Sequence, residues 1–145
     1  MPLQYRQLEI SDHAALMALW RASAGISLRE ADSPANMERY LRRNPGLSFV
    51  AEDAGRVVAS LMAGHDGRRG YIQHLAVADG HRRRGIAGRL LELCLAALAD
   101  AGIEKSHVHV VRDNRDGIEF WSRRGWTPRT EIAMYSFVNG DNPDA

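Results

Sequence analysis

The stretch His81-Arg82-Arg83-Arg84-Gly85-Ile86-Ala87-Gly88-Arg89-Leu90-Leu91 organises the rest of the chain. A short apolar run, Leu75-Ala76-Val77, precedes it and a long Leu/Ala-rich segment follows it, which predicts a strand, a loop and then a helix. The first turn of a helix offers unpaired backbone N–H groups and the positive end of the peptide dipoles. Glycines let an anion approach the backbone, and arginines supply charge in a fork that fits phosphate. The loop therefore predicts a site for a polyanionic cofactor.

Length and composition indicate one globular domain spanning residues 1–145, with residues 139–145 as a flexible tail. The net charge of +1 argues against nucleic acid or membrane as a partner. The sequence shows neither a signal-peptide pattern nor an apolar run of membrane-spanning length. Its single cysteine, Cys94, falls on an apolar helix face and fits a reducing compartment. We therefore expect a cytoplasmic protein.

Hydrophobic periodicity and capping residues predict ten elements in the order β-α-α-β-β-β-α-β-α-β, a mixed α/β (α+β) sheet flanked by helices. Ser11 and Ser33-Pro34 are typical helix starts, and Gly102 and Gly125 are typical stops. The predicted strands are 3–8, 47–52, 56–63, 71–77, 106–111 and 132–137, and the predicted helices are 12–22, 34–44, 85–101 and 114–124.

Two better-known phosphate loops do not fit the arginine-rich stretch. A P-loop needs Gly-Lys followed by Ser or Thr, and the loop has neither. A dinucleotide fold needs G-x-G-x-x-G after the first strand, whereas this loop follows the fourth strand with different glycine spacing.

The pattern that fits is Arg82-x-x-Gly85-x-Ala87. With it, the chain resembles the GNAT superfamily of acyl-CoA-dependent N-acetyltransferases, whose signature is Gln/Arg-x-x-Gly-x-Gly/Ala. The resemblance extends to Leu75-Ala76-Val77 before the loop, to Asn114 after the fifth strand, and to Phe120-Trp121…Gly125-Trp126, where the family commonly shows Phe-Tyr…Gly-Phe. It implies a mostly antiparallel sheet whose fourth and fifth strands splay around the cofactor.

The resemblance implies acetyl-CoA as co-substrate, without a metal. It places the pyrophosphate over backbone N–H groups and arginine side chains, the pantetheine arm along the fourth strand and against Asn114, and the thioester oxygen at the N–H of Val77. The implied cofactor-binding residues are Leu75, Ala76, Val77, Arg82, Arg83, Arg84, Gly85, Ile86, Ala87, Gly88 and Asn114.

The sequence departs from the family at the two proton-transfer positions. The family often has a glutamate on the fourth strand and a tyrosine on the last helix; this chain has no carboxylate on that strand, and Trp121 stands at the tyrosine position. His74 is a tentative base, although strand alternation predicts that it faces away from Tyr71 and Gln73. Tyr71 or Gln73 could instead hold a water, and Asp66 is a further candidate. We leave the base open.

The resemblance implies acetyl transfer to a primary amine on a small molecule, peptide or protein. Deprotonating a lysine amine at pH 7 costs roughly 4 to 5 kcal/mol but an α-amine only about 1 kcal/mol, which favours α-amines or small-molecule amines. Glu30 and Asp32 are the nearest acidic residues for attracting an amine, although loop and capping roles explain them more simply. The altered proton-transfer positions also allow a non-catalytic acyl-CoA sensor, and the resemblance allows a homodimer. His107 and His109 have metal-like spacing but no third ligand.

Overall fold

The computed structural model describes residues 2–145, which form a five-stranded sheet with four α-helices. In chain order the elements are β1 (Gln4–Gln7), α1 (His13–Arg21), α2 (Pro34–Arg43), β2 (Phe49–Asp53), β3 (Arg56–His65), β4 (Gly70–Val77), α3 (Ile86–Asp100), β5 (Ser106–Val108) and α4 (Arg115–Arg123). The spatial order is β1-β2-β3-β4-β5; the first three pairings are antiparallel and β4–β5 is parallel. The predicted mixed, mostly antiparallel sheet is confirmed.

The helices begin and end within one residue of their predicted bounds. Ser33 caps α2, because its hydroxyl accepts a hydrogen bond from Asn36 N–H at 3.2 Å, and Pro34 occupies the first helical position. Gly85 precedes α3 in the left-handed conformation, with φ 76°. None of the helices in residues 2–145 has both the length and the apolar character needed to cross a bilayer.

The sheet is covered on both faces, which gives two buried clusters. Helix α3 packs Leu90, Cys94 and Leu98 against one face. Helices α1 and α2 pack Trp20 and Met37 against the other. Strand β3 lies between the clusters and is buried continuously over residues 58–64, as expected for a strand with helices on both sides. Burial raises the pKa of the Cys94 thiol to about 12, in keeping with the packing role predicted for it.

A β-bulge interrupts β4 at His74. While β3 advances two residues, from Ser60 to Met62, its partner β4 covers three, from Ala76 back to Gln73. His74 takes up the extra residue with φ 50°, an uncommon conformation for a non-glycine residue. The bulge reverses the side-chain alternation, so that residues 72 and 76, which have the same parity, lie in opposite buried clusters.

One serine hydroxyl holds the bulge in place. Ser60 Oγ donates to the carbonyl oxygen of His74 at 2.8 Å and accepts from Trp20 Nε1 at 2.9 Å. Ser60 and Trp20 are fully buried. The hydroxyl thus connects α1, β3 and the bulge, and it gives both the Trp20 indole N–H and the His74 carbonyl a hydrogen-bond partner.

The last predicted strand, 132–137, is absent from the structure, and this prediction was wrong. The segment has no strand pairing, and its large side chains are exposed, Tyr135 at 93% and Phe137 at 88%. The physical reason is the short edge that β5 offers: it ends at Val108 rather than at the predicted residue 111. An isolated extended segment has no source of stability without a hydrogen-bonded partner.

The C-terminal residues contact the loop that joins α1 and α2. The backbone N–H of Glu30 donates to the carbonyl oxygen of Asp144 at 2.9 Å. The flexibility expected for residues 139–145 stays a prediction.

We expect Ser60→Ala to lower the free energy of unfolding by roughly 2 to 6 kcal/mol, because it leaves two buried polar groups without partners at about 1 to 3 kcal/mol each. Chemical denaturation measures the change. The double variant Ser60→Ala/Trp20→Phe should be less destabilised than the sum of the two single variants, since the indole N–H is then no longer orphaned. Additive losses would contradict the role given to this hydroxyl.

Candidate active site

The predicted phosphate loop leads directly into the first turn of α3. Arg82 is extended, whereas Arg83 (φ 62°) and Gly85 (φ 76°) are both left-handed, so the backbone turns sharply before the helix begins. The N–H groups of Ile86, Ala87 and Gly88 lie in the first turn of α3 and have no intrahelical acceptor. Residues 82–85 are exposed, so an anion can reach them. The structure therefore has the exposed loop and the helix N-terminus that the sequence predicted at this point.

The loop is anchored at its start by a histidine that sequence reasoning missed. His81 Nε2 lies 2.7 Å from Asp53 Oδ2, at the turn between β2 and β3. The hydrogen bond with His81 is the main reason that the pKa of Asp53 is lowered. Arg82 turns back toward its own segment, with an ion pair of 3.3 Å to Asp79. Arg83 and Arg84 are therefore the side chains best placed for phosphate.

A further arginine reaches the loop from α4. Gly88 has no Cβ, and the guanidinium of Arg124 occupies the space that a Cβ would take. The same guanidinium lies over the Phe120 ring, 4.7 Å from its centroid. Sequence reasoning missed this residue, because only tertiary packing brings the end of α4 to the start of α3.

The predicted splay between β4 and β5 is present. Their parallel pairing ends at Ile72 and Val108, so in the described chain β4 has no β5 partner from Gln73 onward. On its other side β4 continues along β3, where Ala78 N–H donates to Val58 O at 2.8 Å. Because N–H groups alternate in direction along an antiparallel strand, the neighbouring N–H of Val77 points away from β3 and into the gap.

The bulge places His74 on a different face from the one predicted. Gln73 pairs with Met62 and Tyr71 with Gly64, both on the face covered by α1 and α2. The His74 ring lies on that same face, 4.6 Å from the Trp20 ring. The expected opposition between His74 and the pair Tyr71 and Gln73 was therefore wrong, since simple alternation does not survive an inserted residue. Leu75 and Val77, which follow the bulge, do lie opposite His74, as simple alternation predicts, because they pack against the cluster on the α3 face.

His74 forms a close pair with Asp32. Its Nε2 lies 2.7 Å from Asp32 Oδ1, and the two side chains are only 16% and 12% exposed. Burial raises the pKa of Asp32, but hydrogen bonds from His74 and from Arg29 N–H lower it by more, and the net shift is downward. Asp32 is consequently a carboxylate at neutral pH. The loop acid and the strand histidine act as one unit.

Trp121 packs within a buried aromatic group at the end of α4. It is 7% exposed and packs edge-on against Phe120, with ring centroids 5.1 Å apart, and against Trp126, at 4.5 Å. Its indole belongs to the buried cluster on the α3 face. The side chain can shape the site but has no proton to release at neutral pH.

Asn114 has the capping role that the sequence allowed. Its Oδ1 accepts a hydrogen bond from Gly117 N–H at 3.0 Å at the start of α4. The Nδ2 group lies where a Cβ of Gly25 or Gly117 would be, so both glycines leave room for the amide. Asn114 thus packs the loop after α1 against α4.

Two other candidate residues, Asp66 and His107, make local contacts of their own. Asp66 lies in the turn before β4, at the end of that strand remote from Val77, and backbone N–H groups of Arg69 and Arg68 lower its pKa. His107 stacks on Tyr71 with ring centroids 5.7 Å apart. Within residues 2–145, no group of three or more His, Cys, Asp or Glu side chains is placed to hold a metal ion.

Comparison with known proteins finds the family that the sequence resembles. Residues 13–126 match the Acetyltransferase (GNAT) family. An acetyltransferase of Sodalis glossinidius (strain morsitans) is 34% identical over 133 residues, 91% of this chain and 92% of the relative. The PaiA N-acetyltransferase from Thermoplasma acidophilum, solved in complex with coenzyme A, has a TM-score of 0.74 at 20% identity and covers 86% of this chain and 89% of its own. An aminoglycoside acetyltransferase from an uncultured soil metagenomic sample, in complex with sisomicin, has a TM-score of 0.74 at 19% identity over 95% and 97% of the two chains.

The chain belongs to the GNAT family of acetyltransferases. The family match covers most of its length, and the relative from Sodalis is similar over nearly the whole of both chains. The solved structures share its fold. The resemblance carried by Arg82, Gly85 and Ala87 is therefore confirmed.

We expect Arg83→Gly to raise the free energy of unfolding by roughly 0.5 kcal/mol. A left-handed residue other than glycine costs about 1 to 2 kcal/mol, which outweighs the greater chain entropy of glycine. Arg84→Gly is the matched control, because Arg84 is not left-handed; it should be destabilising by about 0.5 to 1 kcal/mol. Equal destabilisation of the two variants in urea titrations would rule out strain at Arg83.

Proposed function

We propose that this enzyme transfers the acetyl group of acetyl-CoA to a primary amine, which attacks the thioester directly. One observation carries the proposal: the N–H of Val77 points into the gap between β4 and β5, next to the loop at the start of α3. A long cofactor with an anionic end and a reactive acyl end fits such a strand. The acceptor then approaches from the face covered by α1 and α2, where His74 and Asp32 lie.

The residues of the loop fit the pyrophosphate of coenzyme A. The N–H groups from Arg83 to Gly88 are the candidate donors, with Arg83 and Arg84 as side-chain partners. Ile86 is 2% exposed, so its side chain serves the core and only its backbone is available. The unpaired edge of Leu75, Ala76 and Val77 fits an extended pantetheine arm, as in other cases where a chain adds to a sheet edge. Bound acetyl-CoA supplies the activated acetyl thioester.

Val77 is the proposed oxyanion residue. Its backbone N–H is fixed by the pairing of Ala78 with β3, so it needs no rearrangement to meet negative charge on the thioester oxygen. A single preorganised donor of this kind is worth about 2.7 to 4 kcal/mol in the transition state. The contribution comes from the backbone, which explains why side-chain identity at position 77 says little about it.

The proton leaving the amine is assigned to His74. Tyr71 and Gln73 share its face, but neither is a base at neutral pH, and Asp66 lies at the wrong end of the strand. A thiolate with a pKa of about 8.5 is a tolerable leaving group without a dedicated acid, so Trp121 need not supply a proton. Histidine is the side-chain type suited to accept a proton near neutral pH.

The acceptor class follows from the cost of deprotonation. A lysine amine needs roughly 4 to 5 kcal/mol at pH 7, and an α-amine only about 1 kcal/mol. A site with one histidine base therefore favours α-amines and small-molecule amines. The similar fold solved with sisomicin, from the soil metagenomic sample, is compatible with an amine acceptor.

We expect acetyl-CoA to release free thiol at pH 7 when the enzyme is given a peptide whose only amine is its N-terminus. A peptide with a blocked N-terminus and one lysine should react at least tenfold more slowly, because its amine is harder to deprotonate. Thiol release followed with a chromogenic disulfide measures both rates. Equal rates would contradict the assigned acceptor class, and acetyl-CoA binding without release for any amine would identify an acyl-CoA sensor instead.

We expect the double variant Arg83→Gly/Arg84→Ala to raise the KM for acetyl-CoA about tenfold or more, since hydrogen bonds to charged groups are worth about 1.5 to 3 kcal/mol each. Its KM should also depend less on salt than that of the parent enzyme. Lys105→Ala removes a cation at the start of β5, near the opposite end of β4, and should leave the KM unchanged. An equal rise in both variants would indicate a general charge effect.

A further inference from the structure

Asp32 is held rigidly on the acceptor face by three separate hydrogen bonds. Its Oδ2 accepts from the backbone N–H of Arg29 at 2.9 Å, and its backbone carbonyl accepts from His13 Nε2 at 2.8 Å. The remaining carboxylate oxygen, Oδ1, lies 2.7 Å from His74 Nε2. The turn Glu30–Asp32 that carries the residue also leads directly into the cap of α2. These contacts fix the position of the carboxylate and leave only its Oδ1 atom to bond His74.

The ionised state of Asp32 determines where His74 carries its proton. A carboxylate can only accept hydrogen bonds, so the contact requires a hydrogen on Nε2 of His74. In the neutral imidazole the lone pair is then on Nδ1. Within the part of the chain that the structure describes, Nδ1 of His74 makes no hydrogen bond, and it is not one of the fully buried polar atoms that lack a partner. It therefore keeps some exposure to solvent.

The bulge holds the ring that carries this nitrogen on the face covered by α1 and α2. His74 is the inserted residue, and its left-handed backbone is fixed by the Ser60 hydroxyl on its carbonyl. The Trp20 indole lies beside the His74 ring, and the Asp32 carboxylate bonds its Nε2. The Ser60 hydroxyl bonds the His74 backbone carbonyl, and His13 from α1 bonds the backbone carbonyl of Asp32. Backbone strain that the surroundings hold in place is typical of functional positions.

We propose that Asp32 is a positioning residue that fixes His74 as its Nε2–H tautomer and thereby makes His74 Nδ1 the atom that accepts the proton of the acceptor amine. The inference rests on the function proposed above. In the step, the amine lone pair forms the new N–C bond, the C–S bond breaks with its electron pair on sulfur, and one amine proton passes to Nδ1. The resulting imidazolium is stabilised by the Asp32 carboxylate and returns its proton to the thiolate or to water.

A second histidine–aspartate pair provides an internal comparison. His81 and Asp53 have the same 2.7 Å separation between Nε2 and a carboxylate oxygen. However, Nδ1 of His81 is buried and has no partner, so no substrate can reach it. The two pairs share the hydrogen bond at Nε2 and differ in whether Nδ1 is accessible. Comparing them therefore distinguishes the effect of the hydrogen bond from the effect of access to Nδ1.

The tautomer is tested without any turnover. Long-range ¹H–¹⁵N spectra of the histidine rings near pH 8 should show His74 protonated at Nε2 in the parent enzyme, with His74→Asn used for assignment because asparagine tolerates the left-handed backbone. In Asp32→Asn the amide NH₂ can donate to Nε2, which should move the proton to Nδ1. Asp53→Asn should change the His81 signals and leave those of His74 in place. Protonation of His74 at Nδ1 in the parent enzyme would overturn the proposal.

The kinetic arm uses the N-terminal peptide acceptor with saturating acetyl-CoA. Asp32→Asn and His74→Asn should each lower kcat/KM for the peptide about 100-fold, the range of a lost general base, and each should remove the acidic limb of the pH profile. Asp32→Glu, which keeps the charge, should recover part of the rate. Asp53→Asn should raise the KM for acetyl-CoA, because Asp53 holds His81 at the start of the proposed phosphate loop, and it should keep the acidic limb of the pH profile. An unchanged limb in Asp32→Asn would overturn the proposal, whereas no turnover by the parent enzyme would count against the proposed function and leave the spectra to decide the tautomer.

Discussion

The hydroxyl of Ser60 is the contact on which the active site depends. By accepting from Trp20 and donating to the His74 carbonyl, it fixes an extra residue in β4 at the centre of the sheet. Because of this extra residue, the alternation of side chains between the two faces of the sheet is shifted by one position on either side of His74. Gln73 and His74 consequently share the acceptor face, while the strand still reaches Val77 with its N–H directed into the gap. A regular strand could not satisfy both requirements.

Strand β4 therefore carries the two halves of the chemistry at different points along its length. Its C-terminal end leads into the arginine loop, where positive charge and N–H groups suit a polyanion. The bulge lies a few residues earlier, where Asp32 provides negative charge beside the imidazole. The acyl end of a cofactor bound along this edge would lie between the two. The charges of the site are thus arranged in sequence along one strand, and the sheet keeps their separation constant.

Local signals in the sequence predicted most of the fold, including the loop and helix start that we propose as the anion site. Ser33-Pro34 marks a helix start because its capping group and fixed φ act within one turn, and the proposed anion site, Arg82 to Gly88, is likewise built from adjacent residues. The features that were missed depend on distant partners. The bulge at His74 needs Ser60 from another strand, the place of Arg124 needs the missing Cβ of Gly88, and a strand at 132–137 needs an edge longer than β5 offers.

The pairing of His74 with Asp32 also has an electrostatic consequence. An isolated imidazole that accepts a proton changes from neutral to +1, and at a half-buried position that charge is poorly solvated. Together with the Asp32 carboxylate, the same proton changes the unit from −1 to neutral. Proton uptake adds one positive charge in either case, but beside Asp32 that charge is balanced within the pair, so the protonated unit holds no net charge at its half-buried position. A second carboxylate beside Asp32 would instead leave a net charge of −1 after taking up the proton. The proposed pair therefore offers a base on a strand that has no glutamate.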